Sequence, residues 1–302
     1  MGYARMSSSS DNSPFWKGPV RSVLFAPGNH ARRAEKALVS TADVVVLDLE
    51  DSVPASEKAA ARTAVGRILS NPSHPRLYVR LNHPSGKWFA DDLAALAGPW
   101  FEGVVLPKIE HPDELRDVES SLQRIEHSLG IPLGKLKLLP IIETAIGVAQ
   151  VDAIAAASSR SLTLIFGAAD YSLDLGLGLE WGRDELELLY ARSRIAHACR
   201  LGDLDPPIDA AILQVRNIED FKSSARNGRR FGFQGKLCLH PDQIGPCHEI
   251  FTPDPAQVKN AQQVLAAYTE AVSRGEAAIE VDGMFVDEPV AERARRLIRR
   301  AT

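Results

Sequence analysis

Residues 44–51 read Val44-Val45-Val46-Leu47-Asp48-Leu49-Glu50-Asp51, an apolar run that turns abruptly into carboxylates. A short run without a polar face suits a strand buried on both sides, as in a parallel sheet covered by helices. Comparable runs occur at Val20–Phe25, Leu77–Leu81, Gly103–Leu106, Lys137–Ile142, Leu162–Phe166, Pro207–Leu213 and Lys236–Leu239. The segments between them carry helical periods. Leu115, Val118, Leu122, Ile125 and Leu129 recur at helical spacing before Gly130, which ends the helix. Ser56 is read as the N-cap of a helix with Ala60, Ala64 and Ile68 along one stripe, and Asn29 as the cap of another through Ala34, Ala37 and Leu38. Strands alternating with helices in this way predict a (β/α)8 TIM barrel, a fold of about 250 residues. The rival, an open doubly wound sheet, announces itself with a glycine-rich first turn, and Pro27-Gly28-Asn29 is not a GxGxxG.

The barrel is assigned to residues 19–252. Residues 253–302 read as an arm of helix, hairpin and helix that packs on the barrel or on a neighbouring subunit. Its first helix runs from Pro255 to Arg274, with Val258, Ala261, Leu265, Tyr268 and Val272 on one side. Asp282-Gly283 then joins Ile279–Val281 to Met284–Val286 as a type I′ hairpin, and a basic helix closes the chain. Residues 1–18, with Ser7-Ser8-Ser9-Ser10, read as a disordered leader lacking the apolar middle of a secretory signal.

Composition narrows the function classes. The chain has 302 residues, 35 Lys and Arg against 39 Asp and Glu, and a net charge of −4. That balance, without a basic block, argues against nucleic acid and a polybasic membrane anchor as partners. No apolar run approaches the roughly 20 residues needed to span a bilayer. The 3 cysteines have no CxxC spacing and favour a reducing compartment, so a cytoplasmic enzyme is expected.

In a barrel the chemistry sits at the carboxyl ends of the strands. Strand two ends in Asp48-Leu49-Glu50-Asp51, and strand three carries Arg80 and Asn82. Strand four ends in Pro107-Lys108, strand five in Glu143, and strand six is followed by Gly167 and Asp170. Carboxylates pooled on one rim call for a cation, and hard oxygen ligands with waters suit Mg²⁺. Each residue also has a structural role open to it. Asp51 and Asp170 are candidate N-caps. Arg80 is a candidate internal ion pair with Glu50 or Asp51, and Lys108 a partner in the same network. His240, in Leu239-His240-Pro241, suits packing or a hydrogen bond better than general-base work.

The run Arg21-Ser22-Val23-Leu24-Phe25-Ala26-Pro27-Gly28-Asn29, followed by Leu47-Asp48-Leu49-Glu50-Asp51-Ser52-Val53, resembles the β-subunit of citrate lyase and its stand-alone CoA-ester lyase relatives. These belong to the HpcH/HpaI aldolase/citrate lyase family, with the malyl-CoA and citramalyl-CoA lyases. Further matches are Val79-Arg80-Leu81-Asn82, Leu106-Pro107-Lys108, Ile142-Glu143-Thr144-Ala145, Phe166-Gly167-Ala168-Ala169-Asp170, Gly235–Pro241 and Asp282–Asp287, in order over about residues 20–300. The resemblance implies a (β/α)8 barrel in a trimer or larger assembly such as a hexamer. It implies Mg²⁺ held by Glu143 and Asp170, with Glu50 and Asp51 around its waters. Arg80, Glu143 and Lys108 then contact an acyl-CoA thioester or the 2-keto acid released from it. Arg33 and Lys36 fall where basic groups meet the CoA phosphates, though both also suit a solvated helix. Asp287 is implied to transfer the proton in a neighbouring subunit's site; before Glu288-Pro289 it equally suits an N-cap.

Three positions depart from the pattern: Ala26 replaces the usual Val, His30 a basic residue, and Ala169 an acid. The expected reaction is retro-Claisen cleavage of a 3-hydroxy-3-carboxyacyl-CoA, citramalyl-CoA first and malyl-CoA second. The rivals are a citrate lyase β-subunit acting on a citryl thioester, a metal-dependent aldolase of hydroxy-keto acids without CoA, and a non-catalytic CoA-binding protein.

Overall fold

Strands bare of charge can be covered on both faces, and eight of them close here into one parallel barrel in sequential order, β1 to β8. The computed structural model describes residues 18–71, 73–96 and 101–301. The expected leader lies outside them except for Gly18.

The order is β1 (Ser22–Pro27), α1 (Ala31–Leu38), β2 (Val44–Asp48), α2 (Lys58–Ser70), β3 (Leu77–Arg80), α3 (Phe89–Ala94), β4 (Gly103–Leu106) and α4 (Pro112–Leu129). The second half runs β5 (Lys137–Ile142), α5 (Ala145–Ala149), α6 (Val151–Ala155), β6 (Ile165–Phe166), α7 (Ala168–Asp174), α8 (Leu189–Leu201), β7 (Ile208–Asp209), α9 (Ile218–Arg230), β8 (Gly235–Cys238) and α10 (Ile244–Phe251). Alternate residues of the strands, among them Val23, Val46, Tyr78, Val105, Ile141 and Ile165, form one buried cluster that fills the barrel. Each such side chain contributes about 1.5–3 kcal/mol through burial.

The sequence reading and the structure differ in detail. β6 and β7 have only two residues each, against the longer runs expected at Leu162–Phe166 and Pro207–Leu213. Pro206 and Pro207 have no N–H to give a ladder. Asp205 N–H bonds Leu162 O, and pairing resumes only where Ile208 N–H bonds Leu164 O. In α2 the buried stripe is Lys58, Ala61, Val65 and Leu69, one position later than expected, because Lys58 turns inward. Its N-cap is Glu57 rather than Ser56, and that of α1 is His30 rather than Asn29; Ala34, Ala37 and Leu38 are buried as expected. In α4, Leu115, Val118 and Leu122 are buried and Gly130 (φ 65°) ends the helix. Glu126, not Ile125, takes the last buried place.

The chain divides into two compact units at residue 247. The second contains α11 (Pro255–Ser273), the antiparallel hairpin β9 (Ile279–Val281) and β10 (Met284–Val286), and α12 (Glu288–Arg299). Asp282 (φ 51°) and Gly283 (φ 77°) both have positive φ, as a type I′ turn demands. Val264, Tyr268, Val286 and Ala291 form its small core. The face of α11 is rotated from the expected one: Ala261, Val264, Tyr268 and Ala271 are buried, while Val272 is exposed. Among the described residues no helix is long and apolar enough to cross a membrane. The 3 cysteines are free and buried.

A buried ion pair braces the barrel's outer layer. Arg160 Nη1 and Nη2 reach the two carboxylate oxygens of Glu126 at 2.6 and 2.8 Å. Burial opposes the Glu126 charge, but bonds from Arg160, Gly134 and Leu136 outweigh it and hold the carboxyl below its ordinary pKa. Arg160→Ala should therefore cost about 3–5 kcal/mol in urea unfolding, because it strands a buried carboxylate. The pair's contribution is complete above about pH 4.3 and fades as pH falls through the lower folded-state value. Wild-type stability should decline in acid below that range, and Arg160→Ala should lose most of this pH dependence.

Candidate active site

Asp48 and Arg80 are register partners on β2 and β3. Val46 and Tyr78, two residues earlier on each strand, lie in the barrel interior, so strand alternation sends Asp48 and Arg80 there too. Asp48 Oδ1 and Oδ2 accept from Arg80 Nε and Nη2 at 2.7 and 2.6 Å. Arg80 Nη1 lies 3.0 Å from Glu50 Oε2, and the guanidinium carbon is 5.2 Å from the centroid of the Phe25 ring. Burial opposes both charges of the Asp48–Arg80 pair. Their mutual attraction outweighs it, holding the Asp48 carboxyl below and the Arg80 guanidinium above their ordinary values. Glu50 has weaker support, and its burial raises its pKa.

The turn after β2 is held from beneath. Lys58 Nζ donates to Leu49 O, Glu50 O and Asn82 Oδ1 at 2.8, 2.9 and 2.7 Å. Asn82 in turn donates to Asp92 Oδ2 from its backbone and its amide.

Lys108, just past β4, has φ 52°, a left-handed conformation that costs a side-chain-bearing residue about 1–2 kcal/mol. The turn aims its N–H at Glu143 Oε1, 2.8 Å away. Its Nζ bonds Glu50 Oε1 (3.0 Å) and Asp51 Oδ2 (3.1 Å) and stands 3.6 Å from Asp170 Oδ1. Burial opposes this ammonium, but Glu50 and Asp51 hold its pKa above the ordinary value.

Glu143, the residue after β5, is a buried carboxyl. Its pKa is pushed up to about 8, first by burial and then by the charge of Asp170. It lies against Gly167, where a Cβ would come within 2.2 Å of Glu143 Oε2 and 2.5 Å of its Cβ, so this position must be glycine. Thr144 caps α5, its hydroxyl accepting from Gly147 N–H.

The structure thus gathers Glu50, Asp51, Arg80, Lys108, Glu143 and Asp170 into one cluster. The N-cap alternatives for two of them do not apply: Gly167 is the N-cap of α7, with Asp170 inside its first turn, and Asp51 is an exposed turn residue bonded to Lys108. Arg80 pairs with Glu50, as one alternative held, but its main partner is Asp48. Arg33 and Lys36 are exposed on α1 and, among the described residues, have no bond to the cluster. His240 caps the short helical turn Pro241–Gln243. Asp287 lies in the second unit and caps α12, accepting from Val290 N–H at 3.3 Å. Sequence reasoning gave no role to Asp48 or Lys58. An aspartate inside an apolar strand beside an arginine strand was a usable signal; a lysine at the start of a polar helix was none.

Asp48, Glu50, Asp51, Glu143 and Asp170 face Arg80, Lys108 and Lys58, a surplus of two negative charges when all are ionised. Burial beside Asp170 raises the pKa of Glu143 and so eases part of this repulsion, and a divalent cation between Glu143 and Asp170 would relieve it by charge. Among the described residues no three acidic, His or Cys groups form a ready cage. A cation here keeps several waters, which fits Mg²⁺ better than a fully protein-ligated ion.

The HpcH/HpaI aldolase/citrate lyase family model matches residues 21–241. The chain belongs to this family. Its enzyme class is thereby a lyase. A citrate lyase subunit beta-like protein of Deinococcus radiodurans is 40% identical over 285 residues, covering 92% of this chain and 96% of its own. The L-malyl-CoA/beta-methylmalyl-CoA lyase of Cereibacter sphaeroides is 32% identical, covering 94% and 95%. CitE of Mycobacterium tuberculosis, solved with magnesium, acetoacetate and coenzyme A, superposes with a TM-score of 0.76 at 30% identity, covering 94% and 98%.

Gly167→Ala should drive Glu143 from its place. Titration calorimetry with MgCl2 should show binding weakened by about 10–100-fold, the range for disturbing groups that orient a metal ligand.

Proposed function

We propose that this chain is a Mg²⁺-dependent carbon–carbon lyase that cleaves a 3-hydroxy-3-carboxyacyl-CoA to acetyl-CoA and a 2-keto acid. Citramalyl-CoA is the preferred substrate and malyl-CoA the second. The observation that carries this reading is the buried Glu143 carboxyl, with the half-exposed Asp170 carboxylate near it, beside an arginine fixed by two carboxylates. The magnesium and coenzyme A in the related CitE structure support it.

Glu143 and Asp170 would hold the Mg²⁺, with Glu50 and Asp51 placed to bond waters around it. When bound, the cation supplies Lewis acidity to a hydroxyl and the carboxylate beside it. The hydroxyl proton passes to solvent water, the hydroxyl oxygen becomes the carbonyl of the 2-keto acid, and the electron pair of the broken C2–C3 bond becomes the enolate of acetyl-CoA. Arg80 stabilises that charge as it develops: Asp48 and Glu50 take three of its five N–H bonds, leaving two for an oxyanion. Because both carboxylates hold the guanidinium before substrate arrives, little reorganisation is needed. Lys108 contacts the keto-acid end, and Arg33 and Lys36 meet the CoA phosphates. Asp287, carried on the arm of a neighbouring subunit in a trimer or hexamer, protonates the enolate carbon. A citryl thioester is the second reading, supported by the 40% identity to the citrate lyase subunit beta-like protein.

The test is release of acetyl-CoA and keto acid from citramalyl-CoA and malyl-CoA, with and without Mg²⁺, beside Glu143→Ala. Metal-dependent turnover should vanish in the variant. No turnover of either thioester by folded, Mg²⁺-loaded protein sinks the CoA-ester reading, and activity on a citryl thioester alone establishes the second. Asp287→Asn should lower kcat by about 10²–10⁴-fold and leave Mg²⁺ binding unchanged. Arg80→Lys should cost about 10²–10³ in kcat, since a lysine cannot keep both carboxylates and still serve the oxyanion.

A further inference from the structure

We propose that His83 is a positioning residue of this site. It holds the Lys108 carbonyl, and through it the backbone turn that aims the Lys108 N–H at Glu143 and the Lys108 ammonium at Glu50, Asp51 and Asp170. The proposal rests on the lyase reading for its catalytic meaning but not for its geometry.

Lys108 sits in a conformation that a lysine does not adopt without support. Three bonds surround that turn. Its N–H goes to Glu143 Oε1, the next N–H, of Ile109, goes to Ile141 O, and its carbonyl faces His83 Nε2 at 3.2 Å. The first two tie the turn to β5. His83 ties it to the opposite neighbour, the loop after β3.

The imidazole is itself oriented. Ser85 N–H points at Nδ1 from 3.2 Å, and Ser85 Oγ lies 2.9 Å from the same atom. Nδ1 therefore accepts from the amide in the neutral ring, or donates to the hydroxyl in the charged one. In both cases Nε2 carries a hydrogen and faces Lys108 O. Glu114 Oε1 stands 3.3 Å from Nε2, while its Oε2 accepts from Glu110 N–H and His111 N–H. The start of α4 thus fixes Glu114, Glu114 and Ser85 fix His83, and His83 fixes the carbonyl of Lys108. His83 touches none of the carboxylates proposed to hold the metal, so it acts only through Lys108.

The readout that decides this is amide hydrogen exchange of the peptide containing Lys108, followed by mass spectrometry on the intact protein. His83→Ala should speed exchange of the Lys108 amide by about three- to tenfold, the size of one lost hydrogen bond. His83→Gln, which keeps an N–H donor, should restore most of the protection. His83 is half-buried, so the alanine variant should fold; if it does not, His83→Leu removes the donor while keeping volume. Magnesium titration of the same variants should show binding weakened in step with exchange. Exchange unchanged in the variants lacking the donor, or raised evenly across the whole barrel, overturns the proposal. Wild-type protein that shows this exchange pattern yet binds no Mg²⁺ refutes the lyase reading and leaves the positioning role standing.

Discussion

The site depends on one contact, the paired hydrogen bonds between Asp48 and Arg80 across the β2–β3 register. Both side chains point into a barrel otherwise filled with apolar residues and Tyr78, where neither charge is tolerable alone. Once paired, Arg80 becomes a fixed positive point against which Glu50 is held and whose charge Glu143 also feels. Its flat face rests on Phe25, so β1 also takes part in setting its direction. Lys58 meanwhile fastens the Glu50 turn from behind through two carbonyls. The cluster is thus assembled from five strand ends and is set in place before any ligand arrives.

Much of this was legible from residue type. The barrel strands show in the sequence because they carry so few charges, and the charges stand out because they fall at the strands' ends. Other features depend on distances that a linear pattern does not contain. Asp48 looks like one acid of three until the register sets it opposite Arg80. The α2 stripe was misread by one position because apolar periodicity does not register a lysine that ends on buried carbonyls. The short β6 and β7 were hidden for the opposite reason: the apolar character extends beyond the ladder, and only the missing N–H groups of Pro206 and Pro207 say where pairing stops. Lys108 shows as a strand-end cation, but nothing local in the sequence marks its left-handed backbone. Its contacts come from the loop after β3 and the end of β5, far away in the chain.

The scarcity of pairing at β6 and β7 changes how the two sides of the cluster are supported. Four register pairs join β2 to β3, whereas Ile165 and Ile208 alone join β6 to β7. Side chains make up part of the loss, with the Thr163 hydroxyl bonding the carbonyls of Asp205 and Pro206, and Asp209 gripped by Arg192 and Lys236. The cluster is therefore carried on two unlike supports: Asp48, Glu50 and Arg80 on strands joined by a four-pair ladder, and Asp170 on the helix that follows β6, a strand joined to β7 by one register pair.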